Sequence, residues 1–137
     1  MKICMIGTGY VGLVSGTCFA DLGNKVYCVD KDKTKIKKLK SAISPIYEHG
    51  LDDLIKNNFR AKRLYFTDNL EKAIKDSQII FICVGTPTEK GSNLVDLSQV
   101  YSVAKSISKY IKSYKIIVTK STVPVTTGDQ VEKIISK

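Results

Sequence analysis

Three glycines and one aspartate carry the first chemical signal. Gly7, Gly9 and Gly12 stand in a G-x-G-x-x-G spacing directly after the apolar run Ile3 to Ile6, and Asp30 follows eighteen residues beyond the last of them. A glycine at the first position lets the chain turn sharply out of a strand. At the second, the missing side chain leaves room for a pyrophosphate, and at the third a new helix can pack closely. The first amides of that helix have no intrahelical partners, so an anion at the turn meets free donors and a partial positive charge. Asp30 can accept hydrogen bonds from the two hydroxyls of an adenosine ribose and repels a 2′-phosphate, which points to NAD over NADP. A purely structural glycine turn produces the same spacing, and Asp30 also reads as a helix cap or a solvated loop acid.

These residues need elements to hold them. Ile3 to Ile6 reads as a strand, and a helix follows in which Val11, Val14, Cys18 and Leu22 form an apolar row for burial. Gly12, Gly16 and Ala20 form a second, small row for close approach, and Gly23-Asn24 stops the helix. Lys25 to Val29 is a β-rich strand ending at Asp30. Asp32 caps a helix from Lys33 to about Ala42, with Ile36, Leu39 and Ile43 inward, and Ser44-Pro45 ends it. A short helix carries Leu51, Leu54 and Ile55 on one face and Asp52 and Asp53 in its first turn. Leu64 to Thr67 is a strand, and Asp68 is expected to cap a helix from Leu70 to Lys75. Gln78 to Val84 reads as a central strand buried on both faces, ending in the turn-rich loop Gly85 to Asn93. Asp96 then caps a helix to about Ile111, with Leu97, Val100, Ala104, Ile107 and Ile111 at core spacing. Lys115 to Thr119 is a strand, and a last helix begins near Thr127 with Val131, Ile134 and Ile135 inward. This alternation predicts an α/β fold, a Rossmann-type doubly wound parallel sheet in the order 3-2-1-4-5 with helices on both faces. That order sets the carboxyl ends of the first, fourth and fifth strands side by side. Gly7 to Gly12, Thr86 to Thr88 and Ser121 to Pro124 are therefore expected to line one crevice.

Composition limits the function classes. The 137 residues suit one domain. The longest apolar run, Ile79 to Val84, is far too short to span a bilayer, and the first residues lack the flanks of a signal peptide, so a soluble, cytoplasmic chain without a membrane partner is expected. Cys4, Cys18, Cys28 and Cys83 fall in strands or on the helix's apolar row. With no C-x-x-C pair and one histidine, they imply neither a metal site nor a disulfide framework but small buried hydrophobes. The net charge of +9 raises a second function class, because Lys31, Lys33, Lys35, Lys37, Lys38 and Lys40 crowd one helix and such a face can bind nucleic acid. These lysines lack interleaved aromatics or an arginine fork and alternate with Ile36 and Leu39. The weight therefore falls on a solvated outer face that attracts anionic cofactors, with no nucleic-acid partner.

Four ordered stretches, MKICMIGTGYVGLVSGTCFADLGNKVYCVD, SPIYEHGLDDLI, FICVGTPT and KSTVPVTTG, resemble the N-terminal domain of the UDP-glucose and GDP-mannose dehydrogenase family across essentially the whole chain. The run VSGTCFADLGNKV is most similar to the UDP-glucose branch. The resemblance implies oxidation of a sugar nucleotide's primary alcohol to a carboxylate, UDP-glucose to UDP-glucuronate in that branch. It proceeds by two hydride transfers to two NAD⁺, through a cysteine-bound thiohemiacetal and thioester. Carried over by position, Tyr10 and Val11 lie at the pyrophosphate turn, Asp30 and Lys35 hold the adenosine ribose, and Thr86 lies along the cofactor. Thr122 sits near the nicotinamide and orients the catalytic water. Plainer readings stay open: Lys35 as a solvated lysine, Thr86 as a turn residue before Pro87, and Thr122 as a strand-end hydroxyl bonded to backbone. His49 departs from the family's usual proline in E-P-G-L and reads as an exposed loop residue. The family's nucleophilic cysteine, the helix of its homodimer and its sugar-nucleotide domain are expected beyond residue 137, and none of the four cysteines here matches the nucleophile. Residues 1–137 are thus expected to be a truncated NAD-binding domain, inactive alone, of an enzyme that is a homodimer at full length. A GDP-mannose or UDP-amino-sugar dehydrogenase, or a non-catalytic nucleotide-binding module, stands as the alternative.

Overall fold

Period-two alternation in the first strand creates both faces of the molecule. In the computed structural model, which describes residues 1–88, 91 and 94–136, β1 (Lys2–Ile6) buries Ile3 and Met5 in one cluster and Cys4 and Ile6 in the other. With β2 (Lys25–Val29), β3 (Leu64–Thr67), β4 (Ile79–Ile82) and β5 (Ile116–Thr119) it forms a parallel sheet of order β3-β2-β1-β4-β5, as expected. Met5 pairs with Cys28 and Phe81, and Ile6 with Val29 and Ile82, so β1 is central and its carboxyl end is flanked on both sides.

Helices cover both faces. On one, Leu13 and Ala20 of α1 (Tyr10–Asp21), Ile36 and Leu39 of α2 (Lys33–Lys40), and Leu51 and Ile55 of α3 (Leu51–Arg60) pack on Ile3, Met5, Val26, Cys28, Leu64 and Phe66. On the other, α4 (Leu70–Asp76), α5 (Ser98–Tyr110) and α6 (Thr127–Ile135) contribute Ala73, Ile74, Val100, Ala104, Ile107 and Val131 against Cys4, Ile6, Val29, Ile80 and Ile82. Each fully buried aliphatic side chain contributes roughly 1.5–3 kcal/mol, so the two layers hold the sheet's carboxyl edge in place.

The structure corrects several expectations. The apolar row of α1 is not its buried face: Val11, Cys18 and Leu22 are exposed and Val14 half-buried, while Gly12, Leu13, Gly16, Thr17 and Ala20 are buried. The sheet approaches too closely for a row of valines. A Cβ on Gly16 would lie 2.7 Å from Cys28 Sγ and 3.0 Å from Met5 Cγ. The helix closes in a Schellman motif, with Asn24 N–H donating to Phe19 O and Gly23 N–H to Ala20 O. Helix α2 stops at Lys40 through the same pattern built on Ala42, whose φ of +57° is left-handed, and Ile43 is turned out to solvent. Asn69, not Asp68, caps α4, accepting from Lys72 N–H. Leu97 holds the N-cap position of α5, one residue later than expected, while Asp96 Oδ1 accepts from Ser98 N–H. Only one face of β4 is fully buried, because Ile79 and Phe81 are partly accessible. His49 is exposed, as expected. The expected loop from Gly85 to Asn93 is described at Gly85 to Thr88 and Gly91; the rest lies outside the described residues.

Candidate dinucleotide site

The glycine turn is built by close backbone approach. Gly7 takes a φ of +104°, and a Cβ there would lie 2.6 Å from Cys83 O on the neighbouring β4 segment. A Cβ on Gly12 would run into Gly7's own carbonyl, so the third glycine lets α1 sit against the turn as well as the sheet. Around Gly9 there is open space, and no side chain caps α1, whose first turn carries no acid. The helix start therefore offers its amides to whatever occupies that space.

Asp30 stands beside it. Its Oδ2 accepts from Thr8 N–H at 3.0 Å, from the Thr8 hydroxyl at 2.7 Å and from Lys35 Nζ at 3.2 Å; its Oδ1 accepts from Asp32 N–H at 3.0 Å. Burial pushes this carboxyl up, but the donors from Asp32, Thr8 and Lys35 outweigh it and hold the pKa down at about 2. The group is ionised at any physiological pH. Lys35 belongs to the site because Asp32, capping α2 through the N–H groups of Thr34 and Lys35, starts that helix one turn before it.

These groups open on a crevice of about 770 Å³. Gly7, Thr8 and Gly9 line it with Asp30, Lys31, Asp32 and Lys35, together with Asp68 and Leu70 after β3 and Cys83, Val84 and Gly85 after β4. Its far wall is α5, through Ser98, Gln99, Ser102, Val103 and Ser106. Burial pushes the Cys83 thiol up to about 11, so it lines the floor as a neutral group. Tyr10, Val11, Gly12, Thr86 and Thr122 are not among the lining residues. Tyr10 and Val11 are exposed on the first turn of α1, and Gly12 is buried behind Gly7. Thr86 and Thr122 meet each other instead, the Thr86 hydroxyl donating to Thr122 O at 2.9 Å, while Ser121 Oγ donates to Val84 O at 2.7 Å. Of the three loops expected to line one crevice, Gly7 to Gly9 and Gly85 do so, while Thr86, directly after Gly85, and its partner Thr122 stand beside the cleft rather than in its lining. Sequence reasoning missed Thr8 and the α5 wall. The hydroxyls of Ser98, Ser102 and Ser106 at four-residue steps were a legible signal, whereas Thr8 lay hidden as an unspecified position of the glycine motif.

A parallel sheet with its ligand cleft at the carboxyl ends of the strands, beside the point where strand order reverses, defines a dinucleotide-binding domain of the doubly wound class. NAD fits the groups present: open space and uncapped amides at the turn, and a carboxylate ionised and turned into the cleft. Comparison with known proteins takes this further. The model of the UDP-glucose/GDP-mannose dehydrogenase family, NAD binding domain, matches residues 1–137. A UDP-glucose 6-dehydrogenase from Rhizobium meliloti is 55% identical over 135 residues, covering 98% of this chain and 31% of that protein. Another, from Bacillus subtilis, is 54% identical over 136 residues, covering 99% and 29%. The crystal structure of a ternary complex of GDP-mannose dehydrogenase from Pseudomonas aeruginosa superposes with a TM-score of 0.94 at 36% identity, covering 99% of this chain and 32% of that one. The chain belongs to the UDP-glucose/GDP-mannose dehydrogenase family and is its NAD-binding domain. It spans about 30% of the length of the curated relatives it matches.

Among the described residues no helix is long and apolar enough to cross a membrane, and no group of histidine, cysteine and acidic side chains could hold a metal ion.

Proposed function

We propose that the chain is the cofactor-holding part of a UDP-glucose 6-dehydrogenase, which oxidises UDP-glucose to UDP-glucuronate in two NAD-dependent steps. The observation that carries the reading is the identity of 55% and 54% to two enzymes of that name across essentially the whole chain. Bound NAD⁺ supplies the hydride acceptor. The chain's own residues bind and orient: the turn from Gly7 to Gly12, with Tyr10 and Val11, receives the pyrophosphate, and Asp30 and Lys35 receive the adenosine ribose. Thr86 and Thr122 lie along the path to the nicotinamide, with Thr122 orienting the water of the second oxidation. The sugar nucleotide, the homodimer contact and the nucleophile belong to other parts of the enzyme, and the cytoplasm is its compartment. The basic face of α2 is solvated and takes no nucleic acid.

A GDP-mannose dehydrogenase remains the second reading, because the solved structure with a TM-score of 0.94 is one. A graft tests whether the chain serves as the cofactor-holding part of a UDP-glucose enzyme. Residues 1–137 replace the matched segment of the Rhizobium meliloti enzyme, and NADH formation is followed with UDP-glucose. A folded, active graft is expected; a folded graft that binds NAD⁺ yet forms no NADH overturns the reading. Residues 1–137 alone are expected to bind NAD⁺ and reduce none of it when UDP-glucose is added.

A further inference from the structure

Thr8 is a wholly buried polar side chain in the wall of the cleft, and it spends both its donors on one oxygen of Asp30. That oxygen also receives Lys35, whereas Oδ1 receives the Asp32 amide alone. A carboxylate oxygen has about two lone-pair directions, so Oδ2 is crowded and Oδ1 retains room for another donor. Of the four donors, two are backbone amides and one is a short, buried hydroxyl; Lys35 alone is a long side chain, 30% exposed, that can leave. A ribose hydroxyl can thus enter at Oδ1 and a second can take Lys35's place on Oδ2.

The charges around the cleft make the position of Asp30 decisive. Lys31 and Lys35 face it alongside Asp30, Asp32 and Asp68, and the carboxylate of Asp32 is engaged by the α2 amides. If Asp30 swung away, Lys35 would lose its partner and be left facing the ribose, where an ammonium group favours a 2′-phosphate. We propose that Thr8 is a specificity-determining positioning residue, whose hydroxyl clamps Asp30 over Lys35 and thereby makes the domain select NAD over NADP. Thr8 acts through Asp30 and need not touch the cofactor.

This inference rests on Asp30 receiving the ribose, as proposed above, and the test separates the two. NAD⁺ and NADP⁺ are titrated into the protein and its Thr8→Val and Thr8→Ser variants, and the Asp30 carboxyl is followed by NMR through an acid titration without cofactor. Thr8→Val keeps the shape and removes the hydroxyl. The expected result is an about tenfold fall in the NAD⁺ to NADP⁺ preference, from weaker NAD⁺ and stronger NADP⁺ binding together. The Asp30 titration should move to higher pH, with both properties restored in Thr8→Ser. Thr8→Ala provides a second variant should valine disturb the fold. An unchanged preference and an unmoved Asp30 titration in a folded variant overturn the clamp. A parent protein that binds neither dinucleotide, with Asp30 still titrating near pH 2, overturns the NAD site and the cofactor-choice claim together while leaving the hydrogen bonds intact.

Discussion

The two ends of the sheet's carboxyl edge are built differently. Over β1 and β2, Asp30 is tied down by four hydrogen bonds, two from Thr8 in the glycine turn and two from Asp32 and Lys35 just after the aspartate, beneath a helix that touches the turn's own backbone. Over β4 and β5, Thr86 reaches Thr122 through one hydrogen bond and Val125 is fully exposed. The carboxylate proposed to receive the ribose is thus held by several donors, whereas the threonines proposed to lie toward the nicotinamide are held by one.

The strongest way to break that contrast is to disturb the turn. Gly12→Val places a side chain inside the Gly7 carbonyl, and since both atoms belong to packed backbone the cost should be of order 3–5 kcal/mol or outright failure to fold. Chemical denaturation reads it directly. At the other end, Thr86→Val removes one partly exposed hydrogen bond and should cost about 0.5–1 kcal/mol, with NAD⁺ affinity changed less than by any change at Asp30.

Acid sharpens the comparison between these extremes. Asp30 has its pKa lowered on folding, so its contribution is complete above the unfolded value near 4 and is lost as pH falls toward about 2. Glu71, Asp76 and Asp96 are also lowered, so the Asp30 share is read as a difference. Between pH 5 and pH 2 the parent protein should lose about 1–2 kcal/mol more than Asp30→Asn, after allowing for solvent screening. An equal loss in both would mean that the clamp around Asp30 is slack in solution.

Much of this molecule was legible in its sequence because the signals were periodic or steric. Alternation in Ile3 to Ile6, the apolar run at Ile79 to Val84 and the glycine spacing each have one cheap structural solution, and together they give the strand order. Where small residues do the packing, hydropathy misleads. The row of Val11, Val14, Cys18 and Leu22 looked like the buried face, yet the sheet takes Gly12, Gly16 and Ala20 together with Leu13 and Thr17, and Val11, Cys18 and Leu22 are turned outward. The cap of α4 shifted from Asp68 to Asn69, a neighbour with an equally good acceptor, while at α5 Asp96 still binds the first turn although Leu97 holds the N-cap position. Thr8 was invisible for another reason: its importance comes from a long-range hydrogen bond across the turn, and no local pattern announces such a bond. The α5 wall depended on how that helix crosses the sheet.

The cleft beside the glycine turn is expected to bind NAD through Asp30. Calorimetric titration of the protein and of Asp30→Ala with NAD⁺ and NADP⁺ decides this. Saturable NAD⁺ binding by the parent is expected, with much weaker NADP⁺ binding and at least a tenfold loss of NAD⁺ affinity in the variant, about 1.4 kcal/mol or more. Equal affinity of parent and variant for NAD⁺, with both folded, would contradict it.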